Sequence, residues 1–189
     1  MVTRAEHRRA TLLALSDAAT ALFEEKGDAA TIDDIAERAG VARRTIYRWV
    51  DQRDDLVFIH PRLWIDEFDA AVAGLDLPPA DRIRVGSKAV CASIDRDPAP
   101  VRRAMQVALD IPQLMRGYAA VSQMWIERMA AEVLDDPGNS DRVFRSRVVG
   151  AAIMGVIDAA LNQWIAEPDS TTLEPLVMAG LDYLEPILH

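Results

Sequence analysis

The apolar residues of this chain recur every three or four positions, and no run alternates with the period of two that a half-buried strand requires. No NG or DG hairpin dipeptide is present. Prolines and glycines (Gly27, Gly40, Pro61, Gly74, Pro78-Pro79, Pro98, Pro100, Pro112, Pro137-Gly138, Pro168) cut the chain into segments of helical length. Leu12, Leu15, Ala19, Leu22 and Phe23 share one face of a first helix, which Thr3 and Glu6 open as a capping box and Gly27 ends. Thr31 and Asp34 repeat the device for a second helix, with Ile32, Ile35 and Ala36 facing inward and Gly40 as the stop. This pattern predicts an all-α fold of about nine helices. Three short ones precede residue 53, and longer ones lie near 54–73, 79–95, 99–109, 112–135, 141–166 and 172–187.

Apolar residues make up 50% of the 189, against 27% charged, so the chain can bury a sizeable core. A single cysteine, Cys91, excludes an intramolecular disulfide and reads as a small buried hydrophobe in a reducing compartment. The longest nearly apolar run, Val148–Leu161, is broken by Asp158 and is shorter than the ~20 residues that span a bilayer. A soluble, cytoplasmic protein with no membrane partner is expected. His7, His60 and His189 fall in no metal-binding spacing, and there is neither a glycine-rich phosphate loop nor a nucleophile elbow. The carboxylate pairs Asp33-Asp34 and Asp54-Asp55 stand at helix starts, where the macrodipole accounts for them. The chain is therefore expected to be no enzyme, with no metal and no cofactor.

The formal charge of -9 is uneven, with -2 in residues 1–60 and -7 in the remainder. The more balanced part contains IAERAGVARRTIYRWV (35–50), which sets Arg43, Arg44 and Arg48 among Tyr47 and Trp49. A helix over 31–39, a turn at Gly40-Val41 and a second helix over 42–50 make a helix-turn-helix. Val41, Ile46 and Val50 can close a small core on Ile35 and Leu22, which turns Arg43, Arg44, Thr45, Tyr47 and Arg48 outward. An arginine in the major groove can pair bidentately with guanine O6 and N7, and Thr or Tyr hydroxyls suit phosphate oxygens. Trp49 fits either the sugar-phosphate edge or the core. Asp51 with Asp54 can cap the next helix.

LFEEKG…ATIDDIAERAGVARRTIYRWVDQRDDL, residues 22–56, resembles the DNA-binding domain of the TetR (tetracycline-repressor-like) family of bacterial transcriptional regulators. The resemblance implies a DNA-binding domain over 1–53, with Arg43 and Arg44 reading bases and Thr45, Tyr47 and Trp49 meeting the DNA backbone. Arg53 takes the place of a phosphate-contacting lysine at the next helix start, and Arg48 and Thr31 complete the candidate set. The chain departs from the family pattern in GDAAT, which shortens the first connection, and in VDQR where FPSK is common.

Residues 54–189 match the family in size and helix count, which implies a ligand-binding and dimerisation domain. Met115, Tyr118, Ser122, Trp125 and Met129 recur along one helix face. Such a stripe serves core packing, or, for Met115, Tyr118, Ser122 and Trp125 with Trp64, Phe68, Met105, Met154 and Asp158, a candidate pocket for a hydrophobic or aromatic small molecule. Gly150, Ala151 and Gly155 permit close helix approach and, with Leu176 and Leu184 of the last helix, suggest a two-fold homodimer. Two recognition helices so joined would read a palindromic double-stranded operator. Pro61, eight residues into the expected fourth helix, marks either a break or a hinge. The function expected is a dimeric sequence-specific regulator, a repressor released by its ligand. The alternative is a helical ligand-binding or interaction module of the same fold that does not read DNA.

Overall fold

The computed structural model describes residues 3–167 and 172–188, and every described regular element is helical. In chain order these are α1 (Arg4–Lys26), α2 (Ile32–Ala39), α3 (Arg43–Ile46), α4 (Ile59–Val72), α5 (Pro79–Arg96), α6 (Ala99–Asp110), α7 (Met115–Val133), α8 (Ser140–Ala166) and α9 (Leu173–Leu188). Short 3₁₀ segments at Gly27–Ala29, Arg53–Phe58 and Pro112–Leu114 join some of them. The all-α expectation of about nine helices agrees with this. Pro168, one of the expected punctuation points, lies outside the described residues, as does His189.

The local signals act where they stand in the sequence. Thr3 and Glu6 form the capping box of α1, and Thr31 and Asp34 that of α2. Gly40 ends α2 in the left-handed region (φ 66°), and its N–H donates to the Ala36 and Glu37 carbonyls. Any residue with a Cβ would strain that turn.

The chain divides into two compact units that interleave along the sequence. One comprises the N-terminal residues through Leu63 together with Ala99–Val121, and the other Trp64–Pro98 together with the chain from Ser122 on. In the first unit α1 buries Leu12, Leu15, Ala19, Leu22 and Phe23. It packs on α2, on the 3₁₀ segment Arg53–Phe58 and on α6. Arg103 of α6 holds the Glu24 carboxylate of α1, its Nε donating at 2.7 and 2.8 Å. Phe58 lies over Gly117, and its ring centroid is 5.8 Å from that of Tyr118.

In the second unit α9 packs on both α5 and α8. The Asp95 carboxylate of α5 accepts from the backbone N–H groups of Leu173 (2.9 Å) and Glu174 (3.3 Å), and so satisfies donors at the start of α9. The Glu132 carboxylate is buried and accepts from Arg82 and, at 2.6 Å, from Arg128. Arg128 also donates to Asp69 (2.6 Å) and lies 4.8 Å from the centre of the Phe68 ring. A buried carboxylate so held avoids the cost of an unpaired charge. By length and composition α8 could cross a membrane, yet it packs on α9, and Gly150 sets it against α7.

Cys91 is buried, and burial, with Asp95 and Glu174 adding to it, pushes its thiol up to about 12. At about pH 8 the native thiolate is then roughly one part in ten thousand. The native protein is expected not to react with a thiol-disulfide reagent over an hour, and to react fully once unfolded in guanidinium. Fast labelling of the native state would contradict this.

Two expectations about helix bounds change. No single helix runs over 54–73: Arg53–Phe58 is 3₁₀ and α4 starts at Ile59. Pro61 therefore lies in the first turn of α4, where the missing N–H has no intrahelical partner to lose, and not eight residues into a helix. The helix expected over 42–50 is regular only over Arg43–Ile46 and continues as turns through Trp49. Ala42 supplies no side-chain cap, and Thr45, Ile46, Tyr47 and Trp49 are β-branched or aromatic, so little intrinsic propensity extends this helix.

Candidate nucleic-acid interface

Ile35 and Ile46 are fully buried, and Val50 nearly so, which fixes α3 across α2 and turns its other face outward. Arg43, Arg44, Tyr47 and Arg48 are exposed, and Thr45 and Trp49 are half-buried. The cluster read from the sequence is thus one surface, with differing engagements. Arg44 is exposed. Arg43 is engaged: its Nη1 donates to both oxygens of Asp33 (3.1 and 2.9 Å) and its Nη2 to the Tyr47 hydroxyl (3.2 Å).

Trp49, open in the sequence between groove and core, belongs to a cationic stack. The Arg8 guanidinium lies 4.4 Å from its ring centre and that of Arg48 lies 4.9 Å away. The indole Nε1 is buried with no acceptor. Arg8 comes from the second turn of α1, so the surface reaches beyond the helix-turn-helix. Sequence reasoning missed Arg8; the signal was its place in the basic start of α1, RAEHRR.

Thr31, Tyr47 and Arg53 meet in a shallow depression of about 370 Å³, lined also by Ala30, Ile32, Asp51 and Gln52. Thr31 caps α2: its hydroxyl donates to Asp34 (2.7 Å) and accepts the Asp34 N–H (3.1 Å). The hydrogen bond from Lys26, and then those of Thr31, hold the Asp34 carboxyl well below the usual carboxylate range. Arg53 is committed to the protein. Its guanidinium donates to the Asp28 carbonyl (2.7 Å), the Ala30 carbonyl, and the carboxylates of Asp28 and Asp54. It also lies 5.4 Å from the Phe23 ring centre. Arg53 thereby ties down the short GDAAT connection whose tightness the sequence shows. The capping expected of Asp51 with Asp54 is not made: Gln52 stands at the cap of the 3₁₀ segment without a side-chain bond, and Asp54 faces Arg53.

The model of bacterial regulatory proteins of the tetR family matches residues 15–57, and that of the MftR C-terminal domain matches residues 77–189. The chain belongs to the TetR family. It is a TetR-family transcriptional regulator with an N-terminal DNA-binding domain. A Mycobacterium tuberculosis protein bearing the name mycofactocin biosynthesis transcriptional regulator MftR is 26% identical over 179 residues, 90% of each chain. SmeT, repressor of the Stenotrophomonas maltophilia multidrug efflux pump SmeDEF, is similar as its triclosan complex. The TM-score is 0.62 and the identity 18%, over 94% of this chain and 91% of that one. FadR of Bacillus subtilis, in complex with stearoyl-CoA, aligns with a TM-score of 0.52 and 17% identity, over 93% of this chain and 98% of that one.

The residues expected to line a pocket divide between the two compact units. Trp64, Phe68, Trp125 and Met154 are buried in the second unit, with Ser122 and Asp158 half-buried there. The Phe68 and Trp125 rings meet edge to face, centroids 6.0 Å apart. Met105 is buried in the first unit, where Tyr118 is half-buried and Met115 is 38% exposed. On α7 the buried row is Gly117, Val121, Trp125 and Met129, which departs from the expected 115-118-122 row at its N-terminal end. Both rows have helical spacing and converge at Trp125, so sequence could not choose between them. Gly150 is buried against α7: a Cβ there would lie 2.5 Å from the Ile126 carbonyl oxygen. Its close approach is intramolecular, which removes it from the expected dimer set. Ala151 and Gly155 face outward, and Leu176 and Leu184 are half-buried.

Proposed function

We propose that the protein is a homodimeric repressor that reads a palindromic operator through Arg43 and Arg44 and leaves it when a small, largely apolar ligand binds. The observation that carries the reading is the α3 surface, where Ile46 and Val50 are buried while both arginines and Tyr47 are exposed. DNA reading is assigned to 1–53 and effector binding with dimerisation to 54–189, in a cytoplasmic protein. Phosphate contacts fall to Arg48, Tyr47 and Thr45, joined by Arg8 beside Trp49. Thr31 and Arg53 hold the frame of the α2 start.

The dimer reading rests on α8 and α9. Phe144 (69% exposed), Val148, Ala151 and Gly155 form an outward row on α8, and Tyr183 (86% exposed) and Ile187 stand out from α9. An exposed apolar face of this kind suits a second copy related by a two-fold axis. Trp64, Phe68, Trp125 and Met154, with Asp158 as a polar contact, are assigned to the effector site. Triclosan and stearoyl-CoA, held by proteins of the same fold, each present a large apolar part, the aromatic rings of one and the acyl chain of the other, and motivate the choice of ligand class.

The test is binding to the DNA upstream of the protein's own gene, followed by fluorescence anisotropy against salt. Specific binding should weaken as salt rises, with a log-log slope of about -0.9 per neutralised phosphate. Triclosan or a long-chain acyl-CoA should release the complex. No shift at low salt would overturn the DNA reading, and binding that no apolar ligand weakens would overturn the effector class.

A further inference from the structure

Asp33 and Asp34 are adjacent, yet only one of them serves the helix they open. Asp34 closes the capping box with Thr31 and pairs with Lys26 at 2.7 Å. Asp33 has no part in that cap; its carboxylate, 69% exposed, receives Arg43 from α3. The remaining terminal nitrogen of Arg43 is on Tyr47, so both ends of the guanidinium fork are occupied within the protein. Reading guanine O6 and N7 needs two N–H groups of that fork at once. To present both terminal nitrogens of that fork to a base, Arg43 has to leave Asp33.

We infer that Asp33 is a specificity-determining residue: it withholds Arg43 from phosphate on arbitrary DNA and yields it to guanine. The inference rests on the reading of α3 as the DNA reader. Exchanging the carboxylate for a phosphate trades one charge-assisted pair for another and gains little, whereas the docked operator sets guanine O6 and N7 against Arg43 and displaces an exposed, weak ion pair. With Arg43 held, its charge is cancelled by Asp33 and does not add to the counterion release that drives non-specific binding. The carboxylate thus weakens arbitrary sites more than the operator, and the ratio between them rises.

The experiment compares wild type, Asp33→Asn, Arg43→Ala and the double variant by anisotropy. The probes are the upstream fragment and a scrambled duplex of equal length. Asp33→Asn should bind the scrambled duplex about three- to fivefold more tightly, and its salt slope there should steepen by about one per protomer. Operator affinity should change less than about twofold, so the specificity ratio falls by the difference. In the Arg43→Ala background most of this gain should vanish, because the partner is gone. Circular dichroism and melting confirm that each variant is folded. An unchanged ratio, a loss on both duplexes, or a gain that persists undiminished without Arg43 would overturn the role of Asp33. A wild type that does not prefer the upstream fragment over the scrambled one would overturn the DNA reading beneath it.

Discussion

Arg43→Ala combined with Arg44→Ala should weaken operator binding by about a thousandfold or more. A bidentate arginine–guanine contact is worth ~1–3 kcal/mol, and a dimer would place four such arginines on its operator. Even at ~1 kcal/mol each the loss comes to about 4 kcal/mol, close to three decades in Kd. Both side chains are exposed, and the Arg43–Asp33 pair is of the weak surface kind, while buried Ile46 and Val50 hold the motif together. The melting temperature should therefore stay within about 4 °C, two exposed substitutions being worth together at most ~1 kcal/mol. Anisotropy on the upstream fragment reads the first quantity and thermal circular dichroism the second. A loss under tenfold in a folded variant would remove these two residues as base readers.

Gly150→Val should cost about 3 kcal/mol of stability and lower the melting temperature by roughly 6–12 °C. A Cβ at Gly150 would meet the Ile126 carbonyl oxygen at 2.5 Å and the Ala130 nitrogen at 3.0 Å, both backbone atoms of α7. Neither can rotate away, so α8 must move off α7. The gain of ~1 kcal/mol in helix propensity on replacing a helical glycine by alanine is too small to offset that. Gly155, five residues on, is the internal control: its Cβ would meet nothing within 4 Å. Within one protomer Gly155→Ala should leave stability unchanged or raise it by up to ~1 kcal/mol, and a loss that depends on protein concentration would place Gly155 at the proposed interface between copies. Urea melts of the two variants read opposite signs; equal effects would show that packing at Gly150 does not decide the outcome.

Features governed by near neighbours along the chain are legible in the sequence alone. The capping boxes at Thr3 and Thr31 and the stops at Gly27 and Gly40 act within one helical turn. The apolar face of α1 and the inward Ile35 and Ile46 follow from period alone. Arg53 shows where that legibility ends. Its residue type suggests a phosphate contact, but its partners, Asp28 and Ala30, lie more than twenty residues away, and only the folded chain brings them together. The same holds for Arg8 against Trp49 and for Arg82 on Glu132. The Arg128–Glu132 pair, at i and i+4 on α7, could have been found by spacing. Burial of that carboxylate could not.

The interleaving of the two units bears on how such regulators can be recombined. Exchange of DNA-binding heads between relatives is simplest at one cut near residue 53, where the recognition motif ends. Here that cut would part Glu24 from Arg103, and Phe58 from Gly117 and Tyr118, all members of one packing unit. A graft that keeps the head intact needs three seams, within α4, ahead of α6 and within α7, and has to transplant residues 99–121 with it. The unit that contains the helix-turn-helix is thus encoded by two separate stretches of gene, and a single crossover would separate residues that pack together.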